Sequence, residues 1–129
     1  MAVFKVKEEC CFINIKEKGQ YLYTHSFYPV SDNLKTGIII IPPICRERLR
    51  AYREMIILAR ALAVAGYSVI CFDYRGEGES FGDFKDFNID TRIEDIQAVV
   101  DTIRKDTGIF FCLFIGNTFW GYLIYYGGG

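Results

Sequence analysis

Three apolar runs that do not alternate constrain the fold of this chain more than anything else in it. Ile38-Ile39-Ile40-Ile41, residues 67–72 and residues 109–115 are each almost unbroken in apolar side chains. A strand with one wet face would alternate, so these runs read as strands covered on both faces, as in a parallel sheet. Between them the period becomes helical. From Arg48 to Ala65, Leu49, Tyr52, Ile56, Ala59 and Ala63 recur at spacings of three and four, and Met55 and Leu62 widen the stripe. The second helical segment runs from Thr91 to Gly108 with the stripe Ile93, Ile96, Val99, Val100 and Ile103. Strands alternating with helices predict right-handed crossovers and a mostly parallel sheet.

The punctuation agrees with this division. Pro42-Pro43 ends the first run, because proline removes a ladder donor. Gly66 is placed to stop the first helix as the glycine just past its end. Thr91-x-x-Glu94 reads as a capping box opening the second. Upstream, residues 8–15 and 21–28 read as two strands joined through Lys18-Gly19-Gln20, an antiparallel hairpin, followed by a polar loop that ends at Gly37. There is no internal repeat, and 129 residues make one domain at most, spanning 1–129.

Composition removes several classes of function. A formal charge of -1 leaves no surplus of Lys and Arg for nucleic acid, and the basic cluster Arg46, Arg48, Arg50 and Arg53 is interleaved with Glu47 and Glu54, as on a solvated helix face. The five cysteines (Cys10, Cys11, Cys45, Cys71, Cys112) form no C-x-x-C pair, so neither a disulfide framework nor a zinc site is expected, and a reducing cytoplasm is the default compartment. No spacing suits another metal or a cofactor. Residues 109–126 are long and apolar enough to raise a membrane span, but Gly116 and Gly121 interrupt them and Phe and Ile favour a strand in the first half. The expectation is strand, turn, helix, with Tyr122, Tyr125 and Tyr126 at helical spacing after the turn.

The loop Asp73-Tyr74-Arg75-Gly76-Glu77-Gly78-Glu79-Ser80 invites a dinucleotide reading, since Gly76-x-Gly78 follows a strand. Phe81 stands at the third glycine position and no helix opens at the loop, so the amides a phosphate needs are missing. The same residues, preceded by Leu58-Ala59-Arg60-Ala61-Leu62-Ala63-x-Ala65-Gly66-Tyr67, resemble the region after strands three and four of α/β-hydrolases. Pro42-Pro43 with Glu47, and Gly82-Asp83-Phe84, are similar to the serine-aminopeptidase-like group, which includes hydrolases associated with exosortase systems. The resemblance covers roughly residues 20–125. It implies a three-layer α/β fold, with the hairpin followed by a mostly parallel sheet of order 1-2-4-3-5, in which the chain stops after the nucleophile turn. It also implies a structural role for Asp73, Arg75, Gly76, Gly78 and Ser80.

Carried onto this sequence, the nucleophile position of the resemblance falls at Thr118 within Gly116-Asn117-Thr118-Phe119-Trp120-Gly121. The oxyanion hole would come from the backbone amides of Ile44 and Phe119. Thr118 stands where such enzymes carry serine or cysteine, and Trp120 where they carry a small residue. The acid and histidine of a triad follow the nucleophile in these enzymes. Here His25 is the only histidine and lies upstream of Thr118. A hydroxyl without an adjacent base is a poor nucleophile. The resemblance therefore implies ester or amide hydrolysis of small-molecule substrates through an acyl intermediate in complete relatives, and little activity in this chain alone. The alternative is a non-catalytic binding or structural remnant acting through a partner, and a third reading is a small protein anchored by residues 109–126. An open edge at strand 109–115 would favour a homo-oligomer or a complementary chain.

Overall fold

The computed structural model describes residues 5–15, 19–30, 36–42, 46–107, 111–118 and 121–127, with the backbone alone for 46–51, 111–118 and 121–127. The elements run β1 (Val6–Asn14), β2 (Tyr21–Pro29), β3 (Thr36–Ile41), α1 (Arg46–Val64), β4 (Ser68–Phe72), α2 (Ile89–Thr107), β5 (Phe111–Thr118) and β6 (Gly121–Gly127), with one 3-10 turn at Phe84–Asp86. They form a six-stranded sheet of order β1-β2-β4-β3-β5-β6. The first five strands stand in the expected order 1-2-4-3-5. Strands β3, β4 and β5 are mutually parallel, while β1, β2 and β6 join by antiparallel pairing.

Both faces of the central strands are dry, which is why their sequences do not alternate. On one face Ile39, Ile41, Ile70 and Phe72 pack with Leu22 beneath Val99, Val100 and Ile103 of α2. On the other, Ile38, Ile40, Val69, Cys71 and Phe27 pack beneath Met55, Ala59 and Ala63 of α1. Removing each large side chain from water contributes about 1.5–3 kcal/mol. The small Ala59 and Ala63, both fully buried, let α1 lie close to the sheet.

The helix ends follow from backbone hydrogen bonding. At the end of α1, Gly66 adopts φ +110. Its amide donates to Ala63 and that of Tyr67 to Leu62, at 3.0 and 3.1 Å, which satisfies two otherwise orphaned carbonyls. The start of α2 differs from the expected capping box. Asn88 is the cap: its Oδ1 accepts from the amides of Asp90 and Thr91 at 2.9 and 3.2 Å, and Thr91 Oγ1 accepts from the Asn88 amide at 2.9 Å. Thr91 thus plays the second part of the box, and Glu94 is released for a different partner.

Two members of the expected stripes are displaced. Ile93 is 60% exposed and Tyr52 40% exposed, whereas the polar Asp95 is fully buried. Leu49 lies outside the residues whose side chains are described.

The largest departure is at residues 121–127, which form strand β6 and not a helix. Six of its register pairs run from Cys112↔Gly127 to Asn117↔Tyr122 before Thr118↔Gly121 closes the hairpin. Tyr, Leu and Ile dominate this segment, and aromatic and β-branched side chains suit a pleated strand. Pairing also satisfies the backbone of β5, whose outer side would otherwise be unpaired. The edge expected at strand 109–115 is therefore occupied by β6. The same residues form two strands where a single spanning helix was weighed, and no described helix is long and apolar enough to cross a membrane.

Truncating Ile39 separates the buried face from the displaced stripe. Ile39→Ala is expected to lower unfolding free energy by about 2–5 kcal/mol. Ile93→Ala is expected to change it by less than about 0.5 kcal/mol. Urea denaturation of both variants checks this, and equal losses would contradict it.

Candidate active site

The carboxyl ends of the parallel strands meet at a reversal of chain direction across the sheet. From β3 the chain crosses through α1 to β4 on one side, and from β4 it crosses through α2 to β5 on the other side of β3. Open α/β sheets bind ligands outside the carboxyl ends of their strands at such a switch point. Ile41 pairs with Gly116 across β3 and β5, so Pro42 and Asn117-Thr118 stand side by side at that end.

Thr118 is the last residue of β5 and pairs with Gly121 of β6. The sequence reading placed it on a sharp strand-to-helix turn beginning near Gly116. Instead β5 continues through Gly116 and Asn117, and the chain returns as a strand. A nucleophile turn relies on strain and on the helix behind it to expose the reacting atom. A hairpin supplies neither. Ile44 and Phe119, the expected oxyanion donors, lie outside the described residues.

His25 is held elsewhere. It sits in β2 opposite Cys10 and Cys71, and β4 and β3 separate it from β5. Three strand spacings amount to about 14 Å, beyond the reach of a side chain. Its Nε2 lies 3.1 Å from Glu8 Oε1, and its ring stacks on Phe27 with centroids 4.2 Å apart. Arg60 of α1 donates two bonds to the same carboxylate, both 3.1 Å. The Arg60 guanidinium above all, with a smaller contribution from His25, keeps the Glu8 carboxyl below its usual range against a partial desolvation. His25, Tyr23, Tyr52 and Asp73 also line a cavity of about 10 Å³, room for about one water. Beside them burial pushes the Cys71 thiol up to about 12, so it stays a neutral hydrophobe.

The loop after β4 is built as a lock. Arg75 is 5% exposed and Asp95 1% exposed. Asp95 accepts from the Arg75 amide at 2.9 Å and from its Nε at 2.7 Å. The rest of the guanidinium donates to Gln20 at 2.6 Å, to the Thr91 carbonyl at 3.2 Å and to Glu94 at 2.9 Å. One side chain thus ties the β1–β2 turn, the loop and the first turns of α2 together. Burial raises the Asp95 carboxyl above its ordinary range, and the bonds from Arg75 oppose that rise. Burial works against the Arg75 charge, but Glu94 and Asp95 hold its proton more firmly than usual.

Ser80 and Asp73 complete the loop. Ser80 Oγ donates to the Asp73 carbonyl at 2.6 Å and accepts from the Tyr23 amide at 2.8 Å, and Asp73 Oδ2 accepts from the Glu79 amide at 3.1 Å. Gly76 has φ +89, and a Cβ there would lie 2.8 Å from the Asp83 carbonyl oxygen, so only glycine fits. Gly78 also has positive φ, +53. Every one of these bonds runs to the loop's own scaffold.

Removing one partner of the buried pair leaves a charge without compensation, so Asp95→Ala is expected to destabilise the fold by about 3–5 kcal/mol. Chemical denaturation measures this; a loss under about 1 kcal/mol would show that the lock does not hold the loop.

No family model matches the chain, and no curated protein matches it. Solved structures do. An α/β serine hydrolase homologue from Coxiella burnetii superposes with a TM-score of 0.63 at 24% identity, covering 84% of this chain and 50% of its own. A lidless α/β serine hydrolase from Xanthomonas campestris gives 0.66 at 21% identity, covering 90% of this chain and 53% of its own. Est1E from Butyrivibrio proteoclasticus, solved with ferulic acid bound, gives 0.67 at 22% identity over 83% of this chain and 42% of its own. The chain spans about half the length of the structures it matches. Its fold, from the antiparallel hairpin through the parallel strands to β5, is that of the α/β-hydrolases.

Proposed function

We propose that this chain is the sheet platform of a hydrolase of the serine-aminopeptidase-like group, whose complete relatives cleave ester or amide bonds of small molecules through an acyl intermediate. Pro42-Pro43 with Glu47, and Gly82-Asp83-Phe84, support the subgroup, while the motif residues Asp73, Arg75, Gly76, Gly78 and Ser80 and the strand order support the hydrolase lineage. In this reading Thr118 occupies the nucleophile position and the backbone amides of Ile44 and Phe119 the oxyanion hole, with no cofactor or metal. The absence of C-x-x-C pairs favours a cytoplasmic setting.

The 129 residues by themselves are proposed to hydrolyse acyl substrates weakly or not at all. One observation carries this: the only histidine of the sequence is bound to the Glu8 carboxylate, which Arg60 also holds, three strands from Thr118. Without a base to take its proton, a threonine hydroxyl near neutral pH is almost wholly protonated and attacks a carbonyl slowly. Backbone donors alone give far less acceleration than a complete triad. The hairpin at Thr118 favours the second reading as well, a binding or structural platform that works through a partner.

Hydrolysis of p-nitrophenyl esters by the wild type, Thr118→Ala and His25→Asn tests the proposal. Rates equal within error in all three are expected. A rate that falls at least about tenfold in Thr118→Ala would assign an acting nucleophile to position 118 and reject the weak-activity reading.

A further inference from the structure

We propose that residues 82–86 form a strap that opens and closes over Tyr74 and Arg92 while the rest of the fold stays intact, latched by the Phe84 ring on the Arg92 guanidinium. The inference stands on the excursion between β4 and α2 and does not rest on the hydrolase reading. That excursion is fastened unevenly along its length. Up to Phe81 it is bonded to the sheet and to itself. Ser80 Oγ accepts from the Tyr23 amide, the Phe81 amide donates to the Tyr21 carbonyl at 3.0 Å, and the Phe81 carbonyl accepts from the Gly76 amide at 2.7 Å. From Asn88 onward it is bonded to α2. The Asn88 side chain takes the amides of Asp90 and Thr91, and its carbonyl accepts from the Arg92 amide at 3.1 Å.

Between these anchors the bonding stops. Residues 82–86 are all exposed. Their backbone bonds are local: the Asp86 amide donates to the Asp83 carbonyl at 3.0 Å and the Phe87 amide to the Phe84 carbonyl at 3.4 Å. The second is too long to be strong. Asp83, which caps the 3-10 turn, makes no side-chain cap bond. Among the described residues no hydrogen bond joins 82–86 to another part of the chain. A segment with exposed backbone bonds and few buried contacts opens at a free energy well below that of global unfolding.

Packing of rings closes the strap where hydrogen bonds do not. The half-exposed Phe84 lays its ring over the Arg92 guanidinium, 5.4 Å from its centroid, and the Tyr74 ring lies 4.6 Å from the same group. Arg92 meets Glu77 only at 3.8 Å, and its Nη1 is buried with no hydrogen bond among the described residues. Arg75, by contrast, makes four bonds from its guanidinium. The two cations therefore divide the work: Arg75 fixes the base of the loop, and Arg92 holds the strap by the face of one ring. Gly82, at φ +91, and Phe87, whose ring fills the space beside Gly76 and Gly82, stand at the two ends of the strap as its pivots. Opening carries Phe84 off Arg92 and brings a cation backed by Tyr74 into water.

Limited trypsin digestion of the 129-residue chain, read by mass spectrometry at the Lys85–Asp86 bond, tests the proposal. Cleavage there is expected in the native protein at a rate that changes little with urea below the unfolding transition, because lifting the strap exposes little surface. Phe84→Ala is expected to speed it about two- to fivefold with an unchanged urea midpoint. Arg92→Gln is expected to speed it by a similar factor. The double variant is expected to be no faster than the faster single one, since both substitutions remove the same contact. Should Arg92→Gln not fold, the urea dependence of the wild type and the rate of Phe84→Ala decide. Cleavage that follows urea as steeply as global unfolding would overturn the proposal. So would an unaltered rate in Phe84→Ala, or effects of the two substitutions that add.

Discussion

Four consecutive isoleucines with a neighbouring strand on either side set the terms for everything else in this structure. Ile38 and Ile40 point to one face and Ile39 and Ile41 to the other, so neither face of β3 can remain wet. The chain meets that demand by crossing the sheet twice, once through α1 to place β4 and once through α2 to place β5. The crossovers cover opposite faces and place their strands on opposite sides of β3. The switch point at its carboxyl end is a geometric consequence of burying those isoleucines.

The loop after β4 is held by charge where the sheet is held by apolar area. Arg75 and Asp95 are taken out of water together, and the pairing offsets a desolvation that either would suffer alone. The result is a loop fixed to α2 and to the β1–β2 turn, with Gly76 in a conformation closed to other residues. On the far side of β3 the backbone follows another rule. Strand β5 gains a partner in β6, so Thr118 ends a hairpin instead of standing on a strained turn. The platform and the Thr118 position are therefore built differently: the first is packed and locked, the second ends a strand paired with Gly121.

Much of the platform could be read from the residues, because uninterrupted apolar runs and three-to-four spacing report burial directly. The helices α1 and α2, the central strands and the order of the first five strands follow from those patterns and from the resemblance of the Asp73–Ser80 motif. What was not legible depends on tertiary partners. Asp95 looks like one more acid on a polar helix face, since nothing local says that Arg75, twenty residues earlier, will meet it in the core. Ile93 keeps the helical period yet stands outside the core that α2 covers. Thr91 and Glu94 fit a capping box, but Asn88 competes for the same amides and Glu94 has a cation to bind. Residues 122–126 carry a spacing that suits either a helix or a strand. The unpaired backbone of β5 decides between them, and no short window of sequence contains that information.

Native-state hydrogen exchange, resolved by residue, tests the central position of β3 most directly. If the doubly covered strands organise the fold, the amides of Ile38–Ile41 and Val69–Phe72 will exchange slowest, only through global unfolding, while those of β1 and β6 open at lower free energy. A β1–β2 hairpin outlasting β3, or β3 amides exchanging as fast as those at the sheet edges, would contradict the account.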